Sequence, residues 1–593
     1  MTTLPHWPTC RRAAVALVLS TSVATAAEVE PGGSEPLLSL QESEAGSPGE
    51  GRGNTAVPSP GTPKAEATAD KAREYAPIPS FRELEAAGVI IGEILINNRN
   101  IFDLDDPRED NSLFRLANKL HIGTRPATIR RSLLFNSGDR VSARLIEESE
   151  RLLRGNAYLY DVRIVPLAYH DGLVDIQVTT KDTWTLHPGI SFGRQGGVNT
   201  GGITVKEQNL MGTGVSLALA ERADAERTGT EFSISRSNAI DGWTTIELKL
   251  GTFSDGDSSA FRLDRPFYAL DTRWATGLSV ASVNQLDSVY GGGGVRIGQY
   301  RHLADGRQIY GGWSPGLSGG WAHRYSLGLQ YQEDTYRADP SVTAPPEIPP
   351  DLRLVAPFVR YELVQDDFVK VKNRNQIERV EYFALGFRSG LQLGRATTAL
   401  GSTRDLWLYS AAVSDGFALS RDDSLLVSAS AGGRYGAAGG EEQSYALAWK
   451  YYNQQRGNKL FFASLSGDAL ANGQSTDQLR LGGDTGLRGY PLNYQTGTYR
   501  AVLSLEERAY TNWYPFRLFR VGGAVFFDYG RAWGGVNQNT ADPGWLKDVG
   551  IGLRILNDRS ALGGVLHIDL AFPINPAPGI RSVQFLVKSK TSF

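Results

Sequence analysis

The 593-residue chain has almost no cysteine, no excess of charge and no long run of apolar residues. Its one cysteine is Cys10, so a chain that loses its first residues has no thiol and no disulfide bond. The 61 basic residues are balanced by 64 acidic ones, which gives no reason to expect a nucleic-acid partner. No segment has the run of about 20 apolar residues that a membrane-spanning helix needs.

Glycine and tyrosine are abundant where methionine is scarce. The chain has 67 glycines and 24 tyrosines against 2 methionines, a bias typical of β proteins with many turns and aromatic girdles. Hydrophobic residues make up 41% of the chain, a value that suits a soluble protein. A transmembrane β-barrel can have the same hydrophobic content, because only every second residue of a strand faces lipid.

The beginning of the chain contains two segments of different composition. An apolar run from Ala13 to Leu19 follows two arginines and precedes the small residues Ala24-Thr-Ala26, so residues 1–27 are predicted to be a cleaved secretory signal peptide. Residues 28–76 are rich in Glu, Pro, Gly, Ser and Ala, and they cannot bury enough apolar surface to offset the entropy of ordering. We expect them to form a disordered periplasmic tail.

Residues 77–186 have the pattern of a small mixed domain. An amphipathic helix is predicted to end at Arg154, with Ser142 as its N-cap and Gly155 after its last turn. A hairpin is predicted around Asp171-Gly172, a strong turn signal between two runs that form strands. With an earlier strand and shorter helical stretches, the predicted order is β-α-α-β-β.

Residues 187–593 are predicted to form an antiparallel transmembrane β-barrel, so the chain is mainly β. In runs such as 244–251 and 424–431, apolar and polar residues alternate, as they do when a strand sorts its side chains onto two faces. A long array of such strands, without an apolar helix, is typical of an outer-membrane barrel. We expect 16 strands, at about 25 residues for each strand with its connection.

A Gly-rich segment, Leu481-Gly-Gly-Asp-Thr-Gly-Leu-Arg-Gly-Tyr490, carries one arginine, Arg488. A cation buried in a barrel lumen needs a counter-charge, and the planar guanidinium suits bidentate pairing. Asp528 and Glu506 lie on faces of predicted strands that can point inward, so Asp528 is the first candidate partner and Glu506 the second. On spacing alone, a surface loop with a solvated arginine is favoured.

These segments together resemble the BamA/TamA superfamily of outer-membrane insertases and translocases. Residues 90–180 are similar to one POTRA domain, and Glu207-Gln-Asn-Leu-Met-Gly-Thr-Gly214 is similar to a motif near the first barrel strands. Phe526-Phe-Asp-Tyr-Gly530 matches the strand that carries the acidic partner of the family's arginine. The segment that matches the family's Val/Leu-Arg-Gly-Phe/Tyr motif consists of Leu487, Arg488, Gly489 and Tyr490.

The resemblance implies where the protein resides and what it binds. The Arg488 loop would fold back into the lumen, and the last strand would carry a C-terminal assembly signal read by the barrel-assembly machinery. That signal would consist of Gln584, Phe585, Val587 and Phe593. The POTRA-like domain and the tail would lie in the periplasm of a bacterium, with the barrel in outer-membrane lipid and a polypeptide client on the POTRA-like domain.

The implied function is insertion or translocation of polypeptide clients into or across the outer membrane. The chain has fewer POTRA-like domains than the best-known relatives, so a passive channel or structural barrel stays open as the alternative. No enzymatic activity, cofactor or metal is expected. The segments 312–316 and 316–320 match G-x-S-x-G, but they lie in a Gly-rich turn between strands rather than between a strand and a helix. The histidines show no metal-ligand spacing.

Overall fold

A computed structural model describes residues 78–195, 197–224, 226–474, 476–535, 542–561 and 564–590. The predicted signal peptide, the predicted tail and Phe593 lie outside the described residues. Within them, the chain forms a small N-terminal domain followed by a large closed barrel.

The N-terminal domain packs helices against a three-stranded sheet. Its elements are α1 (Phe81–Ala86), β1 (Ile90–Arg99), α2 (Ser112–Leu120), α3 (Pro126–Arg130), α4 (Ala143–Arg154), β2 (Leu159–His170) and β3 (Leu173–Asp182). The sheet order is β1-β3-β2, with β1 parallel and β2 antiparallel to β3. Strand β2 therefore lies at an edge of the sheet.

Local sequence signals account for this domain. Ser142 accepts a hydrogen bond from the backbone of Leu145 and caps α4, and Gly155 follows the last turn. Asp171 and Gly172 both adopt positive φ, at 51° and 75°, as a tight hairpin turn requires. The core forms where one face of α4 meets the apolar face of β3, which includes the fully buried Ile176.

The described part of the chain forms a closed barrel of twenty strands, so the expected number of 16 is wrong. Its strands are β4 (Leu186–Gln195), β5 (Val198–Leu210), β6 (Val215–Ala223), β7 (Thr228–Arg236), β8 (Thr245–Phe253), β9 (Gly256–Arg265), β10 (Trp274–Tyr290), β11 (Arg296–Ser318), β12 (Trp321–Arg337), β13 (Leu352–Gln365), β16 (Arg388–Ala396), β17 (Leu406–Ala418), β18 (Asp423–Gly436), β19 (Gly439–Gln455), β20 (Lys459–Ala471), β23 (Tyr499–Tyr510), β24 (Phe519–Trp533), β25 (Leu546–Asn557), β26 (Val565–Pro573) and β27 (Gln584–Lys590). Two hairpins, β14 (Phe368–Lys372) with β15 (Val380–Ala384) and β21 (Leu479–Leu481) with β22 (Gln495–Gly497), lie in connections.

The strand count was underestimated because several connections are very short. Only two residues separate some neighbouring strands: β8 and β9 are joined by residues 254–255, and β18 and β19 by residues 437–438. Connections this short lower the number of residues for each strand below about 25, so dividing the length of the barrel by that figure gives too few strands.

The wall of the barrel exposes apolar side chains on its outer face. Leu327, Val359 and Ile551 are each more than half exposed, while alternate positions on the same strands turn inward. The inward set includes fully buried charged residues such as Asp528 and Arg554. An apolar exterior around a polar interior is the arrangement of a barrel that sits in lipid.

No helix of the described residues is long and apolar enough to cross a membrane.

The barrel closes where its last strand meets its first. Among the described residues, β27 and β4 share one register pair, Val587 with Arg194, whereas β26 and β27 share seven. We call this β27–β4 junction the seam. It is the stretch of wall with little backbone pairing.

The N-terminal domain lies against one end of the barrel, which we call the domain end; the opposite end is the loop end. Hydrogen bonds join the domain to the connections after β5, β9 and β25, through Thr128 to Gly212, Glu148 to Leu270, and Arg559 to Ile101. The domain therefore covers the mouth of the barrel at this end.

Candidate luminal site

The Gly-rich motif lies in the connection between β20 and β23, which folds from the loop end back into the lumen. Its short β21–β22 pair holds the connection together, and Leu481, Leu487 and Tyr490 form a buried cluster with side chains of the wall. The wall contributes Val502 and Leu546 among others. Burial of these three side chains fixes the position of Arg488 between them.

Gly489 lets the loop approach the wall closely. A Cβ at this position would lie 2.6 Å from Cβ of Asp548, which no real side chain tolerates. The backbone N–H of Gly489 instead donates to Asp548 Oδ2 at 2.9 Å, and the hydroxyl of Tyr490 donates to the carbonyl of Lys547 at 3.2 Å. Glycine is therefore required where the loop crosses β25.

Arg488 points into a pocket of carboxylates on the inner wall. Its Nε and Nη2 donate to the two carboxylate oxygens of Asp528 at 2.7 and 3.0 Å, a bidentate pair. Its Nη1 lies 3.0 Å from Glu506 Oε2 and 3.3 Å from Asp569 Oδ2. The guanidinium also lies 3.3 Å from the ring centre of Phe526, which adds a cation–π contact.

The carboxylates around Arg488 are shared with two further arginines. Glu506 Oε1 accepts from Nε of Arg508 at 3.0 Å and from Nη2 of Arg554 at 3.0 Å, and Arg554 also contacts Asp569. Arg508, Arg554 and Asp528 are fully buried. Because each buried charge has opposite charges beside it, pairing offsets part of the cost of desolvation. We call these residues, with Arg488, the luminal charge network.

Asp528 and Glu506, the two candidate partners of Arg488 in the sequence, both contact it. Asp528, the first candidate, makes the bidentate pair. Sequence reasoning missed Asp569, Arg554 and the role of Phe526. Asp569 was accessible to the same parity argument, since it alternates along β26 with the buried His567 and Ala571. Which residues of β26 face Arg488 depends on the register between the strands of the closed barrel. No local sequence pattern predicts that register.

A second insert enters the lumen from the domain end. The connection between β13 and β16 forms the β14–β15 hairpin, and its Ile377 and Phe383 pack on inward side chains such as Tyr452, Phe462 and Leu556. Glu381 holds the hairpin turn by accepting from the backbone N–H groups of residues 374–376. We call residues 366–387 the luminal hairpin; nothing in the sequence distinguishes it from an ordinary connection.

The luminal hairpin touches the N-terminal domain as well as the wall. Arg379 donates to the carbonyl of Leu159 at 3.0 Å, and the guanidinium of Arg151 lies 3.9 Å from the ring centre of Phe368. The hairpin is therefore bound on one side by the domain and on the other by the wall.

The motif at residues 207–214, which spans the end of β5 and the turn after it, joins the N-terminal domain to the barrel. Asn209 accepts from the backbone N–H of Gly214 at 2.7 Å, which closes the turn, and donates to Thr124 Oγ1 at 2.8 Å. Thr124 also donates to Asp182, whose carboxylate lies 3.6 Å from Nε2 of His121. Burial lowers the pKa of His121 and raises the pKa of Asp182. The junction is thus a buried polar network.

The described residues hold no group of three or more histidine, cysteine, aspartate or glutamate side chains placed to bind a metal ion. Ser314 and Ser318, from the two G-x-S-x-G matches, both lie within β11, and residues 319–320 form the turn to β12. The expectation of a Gly-rich turn at 312–316 is therefore wrong, but no helix directly follows either serine in the described chain.

Three residues of the predicted C-terminal signal lie on the last strand, and the fourth, Phe593, lies outside the described residues. Gln584 is buried, Phe585 is exposed on the outer face, and Val587 pairs with β4 at the seam.

Comparison with known proteins identifies similar solved structures. BamA from Haemophilus ducreyi lacking POTRA domains 1–3 is 13% identical over 83% of this chain and 84% of that one, with a TM-score of 0.35. CdiB from Acinetobacter baumannii is 12% identical over 84% and 73%, with a TM-score of 0.38. CdiB from Escherichia coli is 10% identical over 84% and 76%, with a TM-score of 0.42. The chain is similar to BamA and CdiB. No family model and no curated protein sequence matches it.

Proposed function

We propose that this protein is an outer-membrane barrel of the BamA/TamA type that inserts or translocates polypeptide clients. The observation that carries the proposal is the seam, where the described residues of β27 and β4 share one register pair. Every backbone group within a bilayer has to be satisfied, so a weakly paired junction is where an extended client can enter and complete its hydrogen bonds.

In this proposal the N-terminal domain is a POTRA domain in the periplasm, and the domain end of the barrel faces the periplasm. Strand β2 lies at the sheet edge, and its second half carries the exposed side chains Leu167 and Tyr169. An edge strand with exposed apolar side chains can accept an extended client by strand addition, with backbone hydrogen bonds for affinity and side-chain pockets for selectivity.

The luminal charge network would brace the wall beside the seam. Arg488 contacts side chains of β23, β24 and β26, three of the strands in the stretch of wall that ends at β27. These strands would then stay in register while the β27–β4 pair opens. The seam, rather than the whole wall, would be the moving part.

A disulfide across the seam tests the proposal. Arg194 and Val587 are partners in the register, and facing residues on antiparallel strands lie at a Cα separation that a disulfide can span. The variant Arg194→Cys with Val587→Cys would be made in a Cys10→Ser background and introduced into a deletion strain. The matched control is Leu566→Cys with Ser589→Cys, which joins β26 to β27 where the strands are already paired and leaves the predicted assembly signal intact.

The readout is the protein content of the outer membrane and the medium. Deletion should remove one or a few specific surface or secreted proteins, and the wild-type chain should restore them. The seam-locked variant should fail to restore them until a reductant is added, while the control variant succeeds throughout. A deletion that changes no surface or secreted protein would reject client transfer and favour a passive barrel.

A further inference from the structure

Helix α2 turns an apolar stripe away from the protein. Leu113, Leu116 and Leu120 are 64%, 51% and 63% exposed, and Ile122 just after the helix is 58% exposed. Their spacing of three and four residues places the leucines on one side of the helix. Contiguous exposed apolar side chains of this kind mark a surface that contacts something other than water.

The opposite side of the helix is fixed to the barrel. Phe114 is buried and stacks on Phe102, with ring centres 3.8 Å apart. These rings pack with Trp184, just before β4, and Leu518, just before β24. The helix therefore lies level with the ends of the barrel strands at the domain end.

Contacts on either side of the helix place it along the rim beneath the seam. Before the helix, Arg559 in the β25–β26 connection donates to Ile101 and pairs with Glu109. After the helix, the backbone N–H of Arg125 donates to the carbonyl of Gly212 at 3.0 Å in the β5–β6 turn. The strands between these two anchors are β26, β27, β4 and β5, and the seam lies in their middle.

The end of the apolar stripe lies beside the β5–β6 turn of the barrel. Arg125 also donates from Nε to the carbonyl of Met211 at 2.9 Å, and the carbonyl of Gly123, next to Ile122, lies against Gly212. Leu210 and Met211 in this turn region are exposed. On the same strand, Ile203 and Val205 are exposed on the outer face of the wall. Exposed apolar side chains are thus present on the wall, at the β5–β6 turn and on the helix beside it.

We propose that α2 is a membrane-interface helix whose Leu113, Leu116, Leu120 and Ile122 insert into the phospholipid leaflet at the domain end, beneath the seam. Lipid fits this surface because the stripe lies at the rim of the barrel near the exposed apolar side chains of β5, and because Arg115 and Lys119 lie on the next face of the helix, where headgroup phosphates would be. The inference rests on the barrel spanning a bilayer and not on client transfer.

Depth-dependent fluorescence quenching tests this inference on the full chain. In a Cys10→Ser background, a single cysteine is placed at Leu116 or Leu120, labelled with an environment-sensitive fluorophore, and reconstituted into vesicles of phosphatidylethanolamine and phosphatidylglycerol. Arg115→Cys is the matched control, because it lies on the same helix but on its polar face. Each sample is quenched either by phospholipid with a nitroxide near the headgroup or by aqueous iodide.

At Leu116 and Leu120 we expect blue-shifted emission, quenching by the nitroxide lipid and at least a threefold weaker iodide effect than at Arg115. Strong iodide quenching at the leucine positions, without lipid quenching, would overturn the inference. Protection from both quenchers that is lost on dilution of the protein in the vesicles would assign the stripe to a second copy of the chain instead. The reconstituted sample contains no client, so the quenching result does not depend on whether the protein transfers clients in cells. A failure of the proposed function can therefore be told apart from a failure of this inference.

Discussion

Arg508 donates from Nη1 to the main-chain carbonyl of Arg374 at 2.9 Å and from Nε to Glu506 at 3.0 Å. The first bond reaches the luminal hairpin, and the second reaches a carboxylate that Arg488 also contacts. One side chain on β23 therefore connects the insert that enters from the domain end with the loop that enters from the loop end. The two inserts together occupy the interior along one side of the wall.

Replacing Arg488 should destabilise the barrel more than replacing its bidentate partner. Arg488→Ala leaves Asp528 without its guanidinium and removes a cation from Glu506 and Asp569 as well. Asp528→Ala leaves Arg488 with those two carboxylates. Removing one partner of a buried ion pair costs about 3–5 kcal/mol, so we expect Arg488→Ala near the top of this range and Asp528→Ala below it.

Urea unfolding, followed by the gel shift of the heat-modifiable barrel, measures these losses. The double variant should be little worse than Arg488→Ala alone, because the two side chains act on one interaction. Arg404→Ala is the control, since its pair with Glu441 is partly exposed to solvent and should contribute less than about 1 kcal/mol. Equal losses for Arg488→Ala and Arg404→Ala would show that the luminal charge network does not stabilise the barrel.

Removing the luminal hairpin should open the barrel to ions. The hairpin packs on Tyr452, Phe462 and Leu556 inside the wall and adds no strand to the barrel itself. Replacing residues 368–384 with a short Gly-Ser linker should therefore leave a folded barrel with a severalfold higher single-channel conductance in planar bilayers. Shortening the connection at 338–350 on the loop end is the matched control and should change conductance less. Equal conductance of the hairpin variant and the wild type would show that the hairpin does not block the lumen.

Local patterns predict the local parts of this molecule well. Alternation along the strands predicted a barrel, the Asp171-Gly172 turn lies where expected, and the parity of Asp528 placed it opposite Arg488. Each of these depends on side chains close together in sequence or on one face of one strand. The Arg488 interpretation also needed the family resemblance, because spacing alone favoured a solvated loop.

The features that escaped prediction depend on the closed barrel. The number of strands is set by where tight turns such as 254–255 interrupt the alternation. The luminal hairpin lies between two strands of the wall like any other connection, and only the closed barrel around it makes Ile377 a buried residue. The stripe on α2 carries the spacing of a core-facing helix, yet Phe114 on its other side forms the core contact.

Deleting Phe593 should lower the amount of folded barrel in the membrane without stopping synthesis. The prediction rests on the resemblance, in which a terminal aromatic residue is part of the assembly signal, and on β27 being the last strand of the closed wall. The measurement is the fraction of heat-modifiable protein in isolated membranes. Phe572→Ala, on the outer face of β26, removes a comparable exposed ring and is the control. If the deletion variant kept the wild-type fraction of heat-modifiable protein, Phe593 would not be part of the assembly signal.

Arg559→Ala should loosen the N-terminal domain from the rim while leaving the barrel intact. Arg559 donates to the carbonyl of Ile101 at 3.1 Å, pairs with the buried Glu109, and lies 5.6 Å from the ring centre of Phe102. Without its guanidinium, Glu109 keeps the hydrogen bond from the backbone N–H of Asp103 at 2.9 Å and, among the ion pairs of the described residues, the longer contact to Arg517 at 3.8 Å. A buried carboxylate that loses its nearest cation is costly, so the segment that contains it should separate from the rim.

Hydrogen exchange measures this loosening directly. Amides of residues 101–120 should exchange at least tenfold faster in Arg559→Ala, while amides of β23 to β26 keep wild-type protection. Arg520→Ala is the matched control, because Arg520 binds Asp558 in the same connection at 3.0 Å and both residues belong to the barrel. If Arg520→Ala accelerated exchange in residues 101–120 as strongly, the effect would come from distortion of the β25–β26 connection. If neither variant did, the domain would be held mainly by Thr124, Asn209 and the other bonds at the β5–β6 turn.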